Sequence, residues 1–208
     1  LQVAKEAQYH NRDVQIDAAE RALRVRQTAE LYTLLGEGLG GKAESDGPTQ
    51  KDLFSRAVSA FRSAIKMQPS AEGYYDLGHV LEQQGMLLEH QSADQLVTFL
   101  RAKDGYLKAL SMKDGSASKA LTPDTLRGLL RLAAIDKAVL MDYEKYFRLL
   151  VASGSTDHSD WEREAGLLFD DGKFMESGDA YSWAANHEGS WGDWCWAANS
   201  FFLADRFE

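Results

Sequence analysis

Four stretches of this 208-residue chain carry residue types able to do chemistry. The first holds Gly36-x-Gly38-x-x-Gly41 and Gly36-x4-Gly41-Lys42, the spacing of a dinucleotide fingerprint and most of a phosphate loop. Such glycines close backbone amides around phosphate only where a strand runs into them and a helix begins within them. Here a helical pattern precedes Gly36, Ala43 stands where a Ser or Thr would reach magnesium, and no apolar strand ending in Asp follows. Residues 36–50, GEGLGGKAESDGPTQ, are therefore predicted to be a Gly-rich loop after a helix C-terminus. The second stretch places His79 and Glu82 at i, i+3, with Glu89 and His90 beyond, enough donors for a metal. Gly85 is expected to break the helix between them, and no second His/Glu set stands at matched spacing, so they read as groove-lining or solvated side chains. The third, Asp157-His158-Ser159-Asp160, has the letters of a hydrolase triad, but neighbours at a helix start cannot reach triad geometry, and Asp and Ser there act as caps. The fourth is Cys195 between Trp194 and Trp196, read as a small packed residue rather than a reactive thiol. Trp191, Trp194 and Trp196 offer an aromatic binding patch, though at least two of them are expected to pack between helices. No catalytic residue, metal ligand or cofactor is assigned.

The elements that must position these residues are helical. A hydrophobic content of 44% allows a good core, and three prolines in the chain suit an all-α protein. With 23 Lys and Arg against 32 Asp and Glu the net charge is −9, which argues against a nucleic-acid partner and for a basic or apolar one. One cysteine excludes an internal disulfide framework and leaves the compartment open. The longest apolar run, LLRLAAIDKAVLM, is interrupted by Asp136 and Lys137 and is too short to cross a membrane, so no membrane span is expected. The sequence opens at Leu1 without an initiator Met or a signal-peptide pattern, and residues removed upstream are expected.

Residues 1–38 read mostly as helix, with Val14, Ala18, Ala22, Val25, Ala29 and Tyr32 on one face; Asn11-Arg12-Asp13 offers an N-cap, which leaves open one continuous helix or a short helix followed by a longer one. A helix over 50–68, capped by Thr49, carries Ala57, Phe61 and Ala64; Pro69-Ser70 turns the chain into a helix over 71–84 with Tyr74, Leu77, Gly78 and Leu81 inward. Ser92 caps a long helix to about 112, residues 114–121 read as a loop, and Thr122-Pro123 starts the next helix. Helices near 123–136 and 138–152 carry Leu126, Leu129, Leu130, Ala133, Leu140, Tyr143, Phe147 and Leu150. After Ser153-Gly154-Ser155, Trp161, Ala165 and Leu168 are followed by an Asp171-Gly172 turn and by Phe174, Tyr181 and Ala184; Gly189-Ser190 then leads to Trp194, Ala197, Ala198, Phe201 and Phe207.

On these residues the chain resembles a tetratricopeptide repeat protein with degenerate, interrupted repeats. Residues 158–190 supply Trp161, Ala165, Leu168, Gly172, Phe174, Tyr181 and Ala184 at that family's spacing. Tyr32, Leu35, Gly36, Leu39, Ala57, Phe61, Ala64 and Pro69 make a second unit with an insertion in its turn, and Tyr74, Leu77, Gly78, Leu81, Ala102, Tyr106 and Ala109 a third. The expected organisation is a helical lead-in over 1–28 and a repeat domain over 29–208, with units near 29–70, 71–114, 122–152, 158–190 and an incomplete 191–208. The last unit stops in mid-repeat, so a further helix beyond Glu208 is expected.

The resemblance implies a right-handed superhelical stack of antiparallel helix pairs whose concave groove takes a protein or peptide segment. Carried over residue by residue, that groove comprises Glu30, Thr33, Glu37, Glu72, Tyr75, His79, Glu82, Ser159, Glu162, Phe169, Asp170, Asn199 and Phe202, acidic with aromatic patches. The family's clamp for a C-terminal carboxylate uses Lys and Asn where this chain has Thr33, Glu37 and Asp76. A non-enzymatic interaction scaffold or assembly factor for a basic or aromatic segment is the expected function. The alternative is a nucleotide-dependent domain using Gly36 to Lys42.

Overall fold

The computed structural model describes residues 11–45, 50–112, 115–136, 139, 142–188 and 190–207. Every regular element among them is a helix: α1 (Arg12–Val25), α2 (Ala29–Ser45), α3 (Gln50–Met67), α4 (Ala71–Met86), α5 (Ala93–Ser111), α6 (Gly115–Ile135), α7 (Tyr143–Ala152), α8 (His158–Asp170), α9 (Phe174–Glu188) and α10 (Trp191–Phe207). Helices adjacent in sequence pack on one another, α1 through α5 in turn and again α8 through α10, which makes the protein an all-α helical-repeat fold. The chain divides into two compact units, Leu1–Thr125 and Leu126–Glu208.

In the first unit Asn11 caps α1, its side chain accepting from the Asp13 amide at 2.9 Å. The chain leaves the helix at Arg26, and the Thr28 hydroxyl receives the Leu31 amide at 3.3 Å as α2 begins. The buried face of α1 differs from the expected one. Gln15 and Ala19 are fully buried, with Ala18 and Ala22 packed on Leu31 and Leu34, whereas Val14 is largely exposed and Val25 is 89% exposed. The cause is polar: the Gln15 amide donates to the Leu34 carbonyl at 3.0 Å, which satisfies a buried side chain and turns the helix by one residue.

The loop expected from Gly36 to Gln50 is also overturned, because α2 continues to Ser45. Its glycines are sites of close approach rather than of turning. A Cβ on Gly36 would stand 2.8 Å from the Phe61 ring of α3, and one on Gly41 would meet the Arg12 guanidinium of α1 at 2.7 Å. Helical glycine costs about 1 kcal/mol of propensity, which the packing of a buried Phe against the bare backbone offsets. The Thr49 cap lies outside the described residues.

Gly85, expected to end its helix, sits inside α4 with the Phe99 ring of α5 against its backbone, and α4 runs on to Met86. Ser70 caps α4 by accepting the Gly73 amide at 3.0 Å, and Ser92 caps α5, as expected, by accepting the Gln95 amide at 3.1 Å. The two helices meet glycine to glycine: a Cβ on Gly105 would lie 3.0 Å from the Cα and N of Gly78 and from the Tyr74 carbonyl oxygen. The loop expected over 114–121 is replaced by the first turns of α6, and Thr122-Pro123 lies inside that helix instead of starting it.

In the second unit Leu126, Leu129, Leu130 and Ala133 of α6 and Tyr143, Phe147 and Leu150 of α7 are buried as their periodicity requires. The helix expected from 138 begins at Tyr143, and Leu140 lies outside the described residues. Gly154 and Gly172 take φ of +70° and +75°, ending α7 and linking α8 to α9 where a side chain would be strained. Trp161 and Tyr181 both pack on Ala165, Leu168 and Ala180 across the α8–α9 pair. Ser177, fully buried, donates to the Ala165 carbonyl at 2.8 Å and lies 3.2 Å from the Ser200 hydroxyl of α10, so small polar residues mark where three helices converge. No described helix is long and apolar enough to cross a membrane.

Two glycine substitutions separate packing from propensity. Gly105→Ala drives a methyl into backbone atoms that cannot yield, and is expected to lower stability by about 1–3 kcal/mol despite the better helix former. Gly166→Ala on α8, whose nearest neighbour would be the Tyr181 hydroxyl at 3.7 Å, is expected to raise stability by up to about 1 kcal/mol. Urea denaturation followed by far-UV circular dichroism measures both.

Candidate functional site

Four of the residues proposed for the groove converge in the first unit. Glu30, Thr33 and Glu37 stand one turn apart on α2, and Glu72 opens α4 directly across from them. Together with Ala29, Leu34, Ala64, Ile65, Gln68, Ser70 and Gly73 they line a hollow of about 420 Å³. A neighbouring hollow of about 680 Å³, bounded by Ala22, Val25, Arg26, Thr28 and Leu31, shares Ala29, Glu30 and Gln68 with it. The pair offers an acidic pocket beside a mixed one, in which Arg26, Thr28 and Gln68 stand among Ala22, Val25 and Leu31.

One turn beyond Glu72 on the same face of α4 lies Asp76. Its Oδ2 is shut off from solvent and has no hydrogen-bond partner among the described residues. Burial first, and then the charges of Glu37 and Glu72, push its pKa up to about 8. The acid is held neutral at ordinary pH chiefly by its burial, with the two glutamates adding to the effect.

The remaining groove residues separate into other surroundings. Tyr75 and His79 stack on α4 with ring centroids 6.2 Å apart, and Tyr75 also tilts against Tyr106 at 5.8 Å. Glu82 does not line a groove: it is 1% exposed and accepts the Tyr106 hydroxyl at 2.5 Å. Its phase on α4, one turn past Gly78, turns it toward α5. In the second unit Phe169 packs edge-on to Phe174 and Trp196 at 5.4 and 5.8 Å, while Ser159, Asp170 and Asn199 are exposed. Phe202 is 55% exposed beneath the Arg206 guanidinium at 4.8 Å.

The stretches with chemical potential resolve as follows. Gly36 to Lys42 lies within α2, so its amides serve the helix, and Lys42 pairs with Asp13. Asp157 and Asp160 form a reciprocal capping box at the start of α8, with the Ser159 hydroxyl donating to Asp157 at 2.8 Å. Arg127 of α6 grips both oxygens of the buried Asp160 at 3.2 and 3.0 Å and also reaches Asp157 and the Ser155 carbonyl. His158 instead reaches Asp193 of α10 at 2.9 Å and Glu162 at 3.6 Å. These three side chains hold donor atoms within 4.8 Å of one another, the described residues best placed to hold a cation. Asp193 is already occupied: it accepts the Ser190 hydroxyl at 2.7 Å and the Ser190 amide at 3.2 Å, as the closing residue of a cap on α10.

Cys195 is exposed rather than packed. The tryptophans depart further from expectation, since Trp191, Trp194 and Trp196 are all exposed, Trp191 by 82%. The inward side of α10 is taken by Asp193, Ala197, Ser200 and Ala204, small or polar residues that leave no room for an indole. Of the three, Trp196 keeps ring contacts, stacking on Tyr181 at 6.1 Å as well as meeting Phe169. A second buried acid, Glu164 of α8, has an Oε2 without a hydrogen-bond partner among the described residues, and burial followed by the charge of Glu144 raises its pKa to about 8.

No family model matches the sequence, and no curated protein matches it.

Asp76 ties the acidic hollow to a stability measurement. Its folded pKa of about 8 stands above the ordinary aspartate value of 3.8, so between those limits the folded chain holds a proton that the unfolded chain has released. Its contribution to stability is lost as pH rises from about 4 to 8, and the loss levels off above that. Asp76→Asn is expected to exceed the parent in stability at pH 8 by at least about 1 kcal/mol, the gap shrinking toward zero near pH 4. Denaturant midpoints across that pH range check it.

Proposed function

We propose that the protein is a non-enzymatic interaction module of tetratricopeptide-like helix pairs, whose first unit receives a basic segment of a partner protein. The observation that carries this reading is the convergence of Glu30, Thr33, Glu37 and Glu72 on one hollow, with Asp76 held protonated beside them. A Lys or Arg side chain entering there meets three carboxylates at the rim. Its charge also relieves the repulsion that raises the Asp76 pKa, so binding and ionisation of Asp76 favour each other. The adjoining hollow, where Ala22, Val25 and Leu31 stand among Arg26, Thr28 and Gln68, has apolar surface for an aliphatic or aromatic neighbour of that basic residue. A partner's free C-terminal carboxylate is disfavoured at the same place by the same charges. The nucleotide alternative draws no support from Gly36 to Lys42, which are helical.

Fluorescence anisotropy with a labelled peptide of alternating Lys and Tyr tests the reading. Affinity is expected to fall with added salt and to rise between pH 6 and pH 9 as Asp76 ionises. The double variant E37K/E72K is expected to weaken binding about tenfold or more. Unchanged affinity in that variant would remove the hollow from the function.

A further inference from the structure

The opposite face of α4 carries the opposite charge. Tyr74, Leu77 and Leu81 form an apolar strip there, and with Ile65 they floor a second, separate hollow of about 340 Å³. Its walls are α3 and α5. From α3 come Arg62 and Lys66, one turn apart; from α5 come Arg101 and Lys108, two turns apart, with Asp104 the one acid on the lining. All four cations are exposed, and none makes an ion pair among the described residues. Lys108 instead lies over the Tyr74 ring at 5.6 Å. In a chain of net charge −9 with 32 acidic residues, four cations and a single acid, Asp104, gathered around one apolar floor make a local excess of positive charge opposite in sign to that of the chain.

We propose that this groove is a second docking site, for an acidic amphipathic helix of a partner protein. The dimensions and the charges select that occupant. Tyr74 to Leu81 spans two turns of α4, about 10 Å, and an incoming helix with apolar residues at i, i+3 or i+4, and i+7 matches such a strip. Cations on both walls, rather than on one, call for acidic residues on both flanks of its apolar stripe. The ligand is thus complementary to the groove in the same sense that a basic segment is complementary to the acidic hollow, and the two sites share only the Ile65 side chain among their linings.

The experiment uses the full chain and two synthetic helix-forming peptides of about 14 residues, identical in their Leu stripe but flanked by Glu in one and Lys in the other. The Glu peptide is expected to bind with an affinity that falls steeply with salt. The exposed double substitution R62E/R101E should weaken it at least tenfold, while E37K/E72K leaves it within about twofold. Should the double variant fold poorly by circular dichroism, the single variants R62E and K66E carry the same test, each expected to weaken binding severalfold. The inference is overturned if the Glu peptide binds no better than a scrambled version, if R62E/R101E leaves its affinity unchanged, or if vesicles rich in phosphatidylglycerol bind while the peptide does not. Because the acidic hollow is probed by the Lys and Tyr peptide with E37K/E72K, either site can fail while the other stands.

Discussion

The constraint on which the first unit rests is the bare backbone of a few helical glycines set against aromatic or glycine partners. Gly36 receives Phe61, Gly85 receives Phe99, and Gly78 meets Gly105 with the Tyr106 ring against it. A helix pair of this size has only a narrow apolar seam to bury, so its stability depends on how densely that seam packs. Glycine lets two backbones approach by the thickness of a methyl group and lets a whole ring replace the missing side chain. The cost in helix propensity, about 1 kcal/mol at each position, is smaller than the burial of a Phe or Tyr side chain, about 2–3 kcal/mol. The second unit solves the same problem with Gly178 against Phe201 and with the buried Ser177 and Ser200 hydroxyls facing each other.

Close packing on both flanks of α4 leaves it two exposed strips, and their chemistry is opposed. The acidic strip is costly, because Asp76 is half-buried near Glu37 and Glu72 with one oxygen shut off from solvent and unsatisfied among the described residues. Glu82, two turns along the same helix, shows that the fold can bury an acid cheaply: there a tyrosine hydroxyl meets the carboxylate at 2.5 Å. Among the described residues a partner such as that tyrosine is missing at the Asp76 Oδ2, so a local rule of polar satisfaction is broken there. Positions of that kind are where binding function is found in folded proteins. The same logic separates Asp76 from Asp160, which is fully buried but gripped by Arg127 and therefore structural.

Much of the fold was legible because helix-period patterns and caps are local. Ser92, Asp157 and the Asp171-Gly172 turn act as their spacing requires, and the apolar positions of α6 and α7 are buried. What misled was glycine, read as a breaker at 36–41 and at 85. Whether a glycine bends a helix or admits a ring depends on what lies opposite, and Phe61 and Phe99 are 25 and 14 residues away from the glycines they cover. The tryptophans failed for a related reason, since indoles count as core by type, whereas the seam of α10 was already filled by small residues. For the site, the residues carried over from the family resemblance include Glu30, Thr33, Glu37 and Glu72, which line one hollow, and also Glu82, which is buried against Tyr106 one step further around α4. The His158, Glu162 and Asp193 cluster had only its i, i+4 half within reach of pattern reading, because Asp193 arrives from α10.

Net charge was the least informative quantity of all, and the geometry of α4 explains why. A helix with its side chains is about 10–12 Å across, while the field of an exposed charge is screened over about 8 Å at physiological ionic strength. Charges on opposite faces of one helix therefore act on their surroundings almost independently. A sum of −9 over the chain predicts the drift of the molecule in a field and its solubility, but not the sign of the ligand at any one face. Arg62, Lys66, Arg101 and Lys108 confront solvent as a cationic surface regardless of the carboxylates across the helix. The preference for a basic or apolar partner drawn from composition consequently applies to the chain as a whole and not to each face of α4 by itself.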